Sequence, residues 1–239
     1  MELSGRRVAI IGGTSGIGRA TAGRLASSGA QVIVGGRRSQ MVAEVVREIG
    51  GSAQGWAVDA CSGEGLRDFY RRAGKLDALV LTLGGNSGFG DFKSVDFAEI
   101  RKGFDAKVWP QLTAAQMGLS FLDAHGSLTF VTAASAGAPV PGAGGLACIN
   151  GALEAMVPTL AAELKPIRVN AVSPGIIDTP WWDFMPAEAK GRFLAQNGGS
   201  LPVGRVGHPD DVAVAIEMII LNGFVTGTIL RCDGGARLL

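Results

Sequence analysis

Six short apolar runs punctuate this chain, at residues 8–11, 32–34, 78–83, 128–131, 167–172 and 228–230, and a segment of helical length separates each from the next. An unbroken apolar run suits a strand covered on both faces, because neither face has water to meet, and parallel strands under two layers of helices are the usual case. The rhythm predicts βαβ units wound into one Rossmann-like parallel sheet, an α/β doubly wound fold with helices on both faces. A weaker run at residues 55–58 brings the strands to about seven. The 239 residues carry no linker-like stretch, so a single domain over residues 1–239 is expected. The 37 glycines fit the tight turns that such a sheet needs between strand and helix.

Charge excludes several function classes. With 22 basic and 21 acidic residues the net charge is +1, and no run of like charges is longer than a pair, so neither nucleic acid nor an anionic membrane is an expected partner. The longest apolar segment, residues 212–225, is broken by Glu217 and Asn222, and no membrane span is expected there. The first residues pass directly into an apolar strand pattern, so a secretory signal is not expected there. Cys61, Cys148 and Cys232 are odd in number and far apart, which fits a reducing, cytoplasmic setting. No residues have metal-ligand spacing, and neither His125, expected before the fifth strand, nor His208, expected to open a late helix, is a catalytic candidate.

The junction after the first strand reads IIGGTSGIGRATAG, with Gly12, Gly16 and Gly18 where the strand turns into a helix. Glycines there let backbone amides approach a pyrophosphate and let helix pack on strand, while the helix N-terminus favours negative charge. Thr14, Ser15 and Ile17 complete this candidate phosphate loop. An NAD site would place a carboxylate after the second strand to meet the ribose 2′-hydroxyl. Arg37 and Arg38 stand there instead, and guanidinium groups hold a 2′-phosphate that a carboxylate would repel, so NADP(H) is expected. The bland alternative is a solvated arginine pair at a helix start. Asp59 is read either as an adenine contact or as the cap of a helix beginning near Ser62.

The G-x-x-x-G-x-G spacing, the stretch ALEAMVPTLAAELKPIRVNAVSPG and the closing DGG resemble the short-chain dehydrogenase/reductase family, and the resemblance runs the whole length of the chain. It implies a nicotinamide cofactor, a small-molecule substrate and a homodimer or homotetramer built on helices around residues 100–120 and 146–164. It assigns Asp59 to adenine. It assigns Pro174, Gly175, Ile177 and Thr179 to the loop over the nicotinamide. After the fourth strand the family has Asn-Asn-Ala-Gly; this chain has Leu81, Thr82, Leu83 and Gly84, and keeps only the glycine. Trp181, Trp182, Phe184 and Met185 then suggest a lid, at about residues 180–200, over an apolar or aromatic substrate, although packing or a subunit contact explains the same residues.

The family's catalytic positions are where the chain departs. Leu146 falls at the proton-donating tyrosine, Asn150 at its lysine, Ala133 at the serine and Lys107 at the relay asparagine. The only tyrosine, Tyr70, belongs to an earlier helix. Lys107 and Asn150 exchange the family's Asn and Lys identities, so Lys107 is expected to restore positive charge near the nicotinamide ribose or substrate and Asn150 to hold ribose hydroxyls; a solvated Lys107 and a backbone-bound Asn150 are the alternative. Thr132 and Ser135 flank the lost serine and are candidates to orient an oxygen. Asp178 is the one nearby carboxylate and a candidate replacement acid or base. The expected function is NADP(H)-dependent hydride transfer with an atypical active site, and the alternatives are nucleotide binding without redox activity or non-redox chemistry on the same fold.

Overall fold

Every apolar run becomes a strand. The computed structural model describes residues 3–239. Strands β1 (Arg7–Ile11), β2 (Gln31–Gly36), β3 (Gln54–Ala57), β4 (Leu76–Leu81), β5 (Leu122–Val131), β6 (Arg168–Pro174) and β7 (Ile229–Cys232) form one sheet in the order β3-β2-β1-β4-β5-β6-β7. All pairs are parallel. This is a single Rossmann-like α/β domain.

Alternation along β1 shows why the runs are unbroken. Ala9 and Ile11 enter one core with Leu66, Phe69, Tyr70, Phe130 and Leu153. Val8 and Ile10 enter the other with Leu25, Val42, Val80 and Ile216. Successive side chains point to opposite faces, and a helix layer covers each. The first core lies under α3 (Gly63–Ala73), α5 (Trp109–Gly118) and α6 (Gly144–Glu163), and the second under α1 (Gly16–Ser27), α2 (Ser39–Ile49) and α8 (Pro209–Leu221).

Two expectations about local structure are corrected. His125 lies inside β5, not before it, because the polar stretch at the start of that strand still pairs with β4 through a register shift between Leu76 and Ala78. The helix after β3 is capped by Ser62, whose Oγ accepts from the Gly65 amide at 3.1 Å; Asp59 accepts from the Cys61 amide in the preceding turn. His208 does open α8, in a capping box with Asp211.

Between α4 (Phe97–Gly103) and α5 the helix widens into a π turn, Phe104–Val108, closed by the Trp109 amide on the Phe104 carbonyl. Pro110 follows at once. Proline has no amide to give to the preceding turn, and a local change of hydrogen-bond period removes the need for it. Lys107 stands on this turn.

Among the described residues one helix, α6, is long and apolar enough to cross a membrane by length and composition, with a mean hydropathy of 1.3. Here it lies along the sheet, burying Ile149, Leu153 and Val157 in the first core.

Candidate active site

The strand order changes direction between β1 and β4, and the carboxyl ends of the strands on either side of that point form the crevice where ligands of such sheets bind. Gly12 has φ +94°, and a Cβ there would stand 2.5 Å from Thr82 Oγ1; one at Gly18 would stand 2.2 Å from the Gly12 carbonyl oxygen. No side chain fits at either place, so the turn from β1 into α1 is as tight as backbone allows. Ser15 precedes α1 without a side-chain cap, which leaves the first-turn amides of Gly16, Ile17 and Gly18 without side-chain partners. Thr14 packs against Gly36, where a Cβ would come within 2.6 Å of Thr14 Cγ2.

Arg37 and Arg38 follow β2, exposed, and neither joins an ion pair among the described residues. Asp59 is exposed after β3; the Cys61 thiol's pKa is raised by burial and then by Asp59, with Arg37 opposing. Gly84, after β4, has no protein atom within 4 Å of a built Cβ. Uncommitted amides at a helix N-terminus, two unpaired guanidinium groups and an open glycine together form a cradle that fits a dinucleotide carrying a 2′-phosphate.

The loop after β6 crosses this cradle. Gly175 is explained by packing inside the protein, since a Cβ there would lie 2.7 Å from the Asp233 carbonyl oxygen. Pro174 ends β6, and Ile177 is buried in a bridge to Gly207. Thr179 lies over the phosphate loop, 3.3 Å from a Cβ built on Gly16. Next come a 3₁₀ turn, Pro180–Trp182, and α7 (Ala187–Ser200). Trp181 Nε1 donates to the Gly85 carbonyl at 2.9 Å, and Trp182 Nε1 to the Ile177 carbonyl at 3.0 Å. Trp181, Trp182, Phe184 and Phe193 pack with ring centroids 4.5 to 6.2 Å apart. Asp178 is exposed and pairs with Lys190 at 3.4 Å, and the same ammonium binds Asp183 at 2.9 Å.

The loop after β5 gathers the other candidates. Lys107 Nζ donates to the Thr132 carbonyl at 3.0 Å. Burial lowers the Lys107 pKa to about 8 against the opposing field of Glu154. Asn150 Nδ2 donates to Ser135 Oγ at 3.1 Å and to the Leu146 carbonyl at 3.0 Å, while its Oδ1 is buried without a protein partner. Ala133 is extended and Leu146 packs on the first core; neither carries a proton to give. The structure therefore brings Lys107, Ser135, Asn150, Ala133 and Leu146 together. Thr132 is corrected as an oxygen-orienting candidate. Its hydroxyl is buried and bound to Glu154 Oε1 at 2.8 Å, because the strand end turns it toward α6.

Tyr70 is far from all of this. Its hydroxyl donates to the Ala114 carbonyl at 2.6 Å and its ring stacks on Phe121, which directly precedes β5 at the amino edge of the sheet. Burial pushes the phenol's pKa up.

Three residues escaped the sequence reading. Glu154 stands one turn beyond Asn150 and two beyond Leu146 on α6, a spacing that shares a helix face and was visible in the sequence. Gln111 bridges the ends of β4 and β5, donating to the Leu83 carbonyl at 2.8 Å and the Val131 carbonyl at 3.2 Å. Arg237 reaches Ser173 Oγ at 2.7 Å from beyond β7, and no local pattern announces that contact.

A family model described as enoyl-(acyl carrier protein) reductase matches residues 12–237. The chain is 31% identical over 253 residues to the short-chain dehydrogenase/reductase ATR9 of Stachybotrys chlorohalonatus, covering 99% of this chain and 98% of that protein. A solved small-chain dehydrogenase in complex with NADPH matches with a TM-score of 0.85 at 30% identity, over 99% of this chain and 100% of the other. The MalC reductase/Diels-Alderase of Malbranchea aurantiaca matches with a TM-score of 0.89 at 25% identity, over 99% and 98%. By fold, by crevice and by these likenesses, the chain belongs to the short-chain dehydrogenase/reductase family of oxidoreductases.

Proposed function

We propose that the protein is an NADP(H)-dependent oxidoreductase with an atypical active site, acting on a small apolar or aromatic substrate whose reacting carbon is already electron-poor. One observation carries the reading: the single tyrosine is buried in the first core with its hydroxyl on the Ala114 carbonyl, while the phosphate turn and its unpaired arginines are intact. The solved relative in complex with NADPH supports the same cofactor here. Bound NADPH supplies a hydride. Gly12, Thr14, Ser15, Gly16, Ile17 and Gly18 would hold its pyrophosphate, Arg37 and Arg38 its 2′-phosphate, Asp59 and Gly84 the adenosine, and Pro174, Gly175, Ile177 and Thr179 the nicotinamide side.

The chain's own residues then do three things. Trp181, Trp182 and Phe184 exclude water, with residues 180–200 as the lid. Lys107 brings positive charge to the end of β5. The unpartnered Oδ1 of Asn150 accepts a hydroxyl from ribose or substrate. No phenol protonates a carbonyl oxygen, and loss of a general acid costs about 10²- to 10⁴-fold in rate. An iminium or activated enone escapes most of that cost, because its carbon needs little protonation before hydride arrives. Unpaired Cys61, Cys148 and Cys232 go with a cytoplasmic setting, and the exposed Trp109 on α5 with a homodimer or homotetramer.

A second reading, non-redox chemistry in the same pocket, draws on Leu146 and Ala133 at the site and on the reductase/Diels-Alderase name of the Malbranchea protein. Titration with NADPH and NADP+, followed by loss of NADPH absorbance against ketones, enones and preformed iminium compounds, separates the two. Binding with turnover on enones or iminium compounds, and about 100-fold or more slower turnover on ketones, is expected. Binding without any turnover favours non-redox chemistry, and absence of binding sinks both.

A further inference from the structure

Behind the end of β5 lies a buried group of charges that hydride transfer does not itself require. Glu154 Oε1 accepts from Thr132 Oγ1 at 2.8 Å and Ser173 Oγ at 2.6 Å, and Arg237 Nη2 approaches it at 3.4 Å. Arg237 Nη2 also donates to Ser173 Oγ at 2.7 Å, and its Nη1 lies 3.8 Å from Asp233 Oδ2. The Arg237 side chain is 6% exposed, yet its Nε and Nη1 have no hydrogen-bond partner. A guanidinium so enclosed and so incompletely bonded is costly, and hydrophobic residues commonly fill such space at no loss of stability. The fold nevertheless makes room for it: a Cβ at Gly137 would stand 3.1 Å from Arg237 Nε.

Thr132 connects this group to the site. Its side chain binds Glu154 while its carbonyl accepts from Lys107. Glu154 is also the charged group whose field reaches Lys107 and favours its protonated form. Arg237 and Asp233 stand behind Glu154, and the end of β5 and the next turn of α5 contribute Thr132, Ser135 and Gln111, none of which titrates.

We infer that Glu154 and Arg237 are positioning residues for Lys107: acting through Thr132, they fix the strand end whose carbonyl holds its ammonium, with Glu154 as the charge that faces it. The inference deepens the reading of Lys107 as the site's positive charge and rests on it. Its physics has a definite sign. Removing the Glu154 carboxylate takes away the charge that holds the proton, and removing the Arg237 guanidinium takes away one that repels it.

The test reads Lys107 directly by NMR titration of lysine ε-CH₂ groups in ¹³C-labelled protein without added ligand, with Lys107→Arg assigning the signal. Glu154→Gln is expected to move the Lys107 midpoint down by about one pH unit, tenfold in proton affinity, and Arg237→Met to move it up. Arg237→Lys keeps the charge and leaves the midpoint near the parent's. A purely structural pair would move both variants the same way or neither, and either result overturns the inference. If Arg237→Met does not fold, Arg237→Gln replaces it, and an unmoved midpoint in Glu154→Gln is decisive by itself. Because the titration needs no turnover, it can succeed where NADPH chemistry fails, and a normal Lys107 midpoint in an active enzyme would overturn this inference alone.

Discussion

Burial brings Lys107 down to about 8 from an ordinary value of 10.5, and two consequences follow at the scale of that residue. If its ammonium serves the reaction, kcat for NADPH oxidation falls as pH rises through about 8, and a pH profile flat to pH 10 would remove Lys107 from the mechanism. Stability runs the other way. The folded pKa lies below the unfolded one, so between pH 8 and 10.5 the unfolded chain holds the extra proton and stability rises with pH; below pH 8 the whole cost of the buried charge is present. Lys107→Met is therefore expected to lose activity while gaining Tm at pH 7, with the gain shrinking above pH 8, and thermal melts across that range check it. The site's glycines show the opposite economy: at Gly12 and Gly18 a methyl group would overlap Thr82 or the Gly12 carbonyl, so the cradle's shape is held by absence of side chains.

At the scale of elements, the loop after β6 and helix α6 carry the proposed site's remaining side chains. Trp181 ties the loop after β6 to the loop after β4 through the Gly85 carbonyl. Trp181→Phe keeps the aromatic packing and removes this one hydrogen bond, worth about 1 kcal/mol. If the lid clamps substrate, KM rises several-fold while kcat and NADPH affinity change little, as steady-state kinetics and a binding titration would show. Equal KM in parent and variant would make the tie structural only. On α6, Leu146, Asn150 and Glu154 recur at one-turn spacing, so a single helix face carries the two proposed site positions and the carboxylate behind them. That face is readable in the sequence, yet the sequence reading stopped at Asn150 because family resemblance supplied no role for the next turn.

The whole molecule couples cofactor to stability through the switch between β1 and β4. A ligand that binds only the folded state stabilises it by about 2.7 kcal/mol at 100 times its Kd. NADPH is expected to raise Tm accordingly and NADH to raise it less, and Arg37→Glu with Arg38→Glu should narrow or reverse that difference. Equal shifts for both nucleotides in the parent would refute the 2′-phosphate role of the arginines. The sheet itself was legible almost strand by strand, since burial on both faces writes itself into local runs such as residues 8–11. The start of β5 was less so: its polar residues pair across a register shift, which no periodicity records.

Strand positions, the glycine turn and the arginines after β2 are determined by the sequence alone, because each rests on neighbouring residues: an unbroken apolar run, a turn's need for glycine, a charge at a strand end. That the chain has a single tyrosine, Tyr70, is likewise a sequence fact. Only the tertiary structure decided where Tyr70 points, which carbonyl Lys107 meets, and that Arg237 lies beside Glu154 across 83 residues of chain. Those contacts join elements brought together by packing of the sheet and its two helix layers, and their strength comes from shared burial in a medium of low dielectric, a property of the folded interior that no local segment carries.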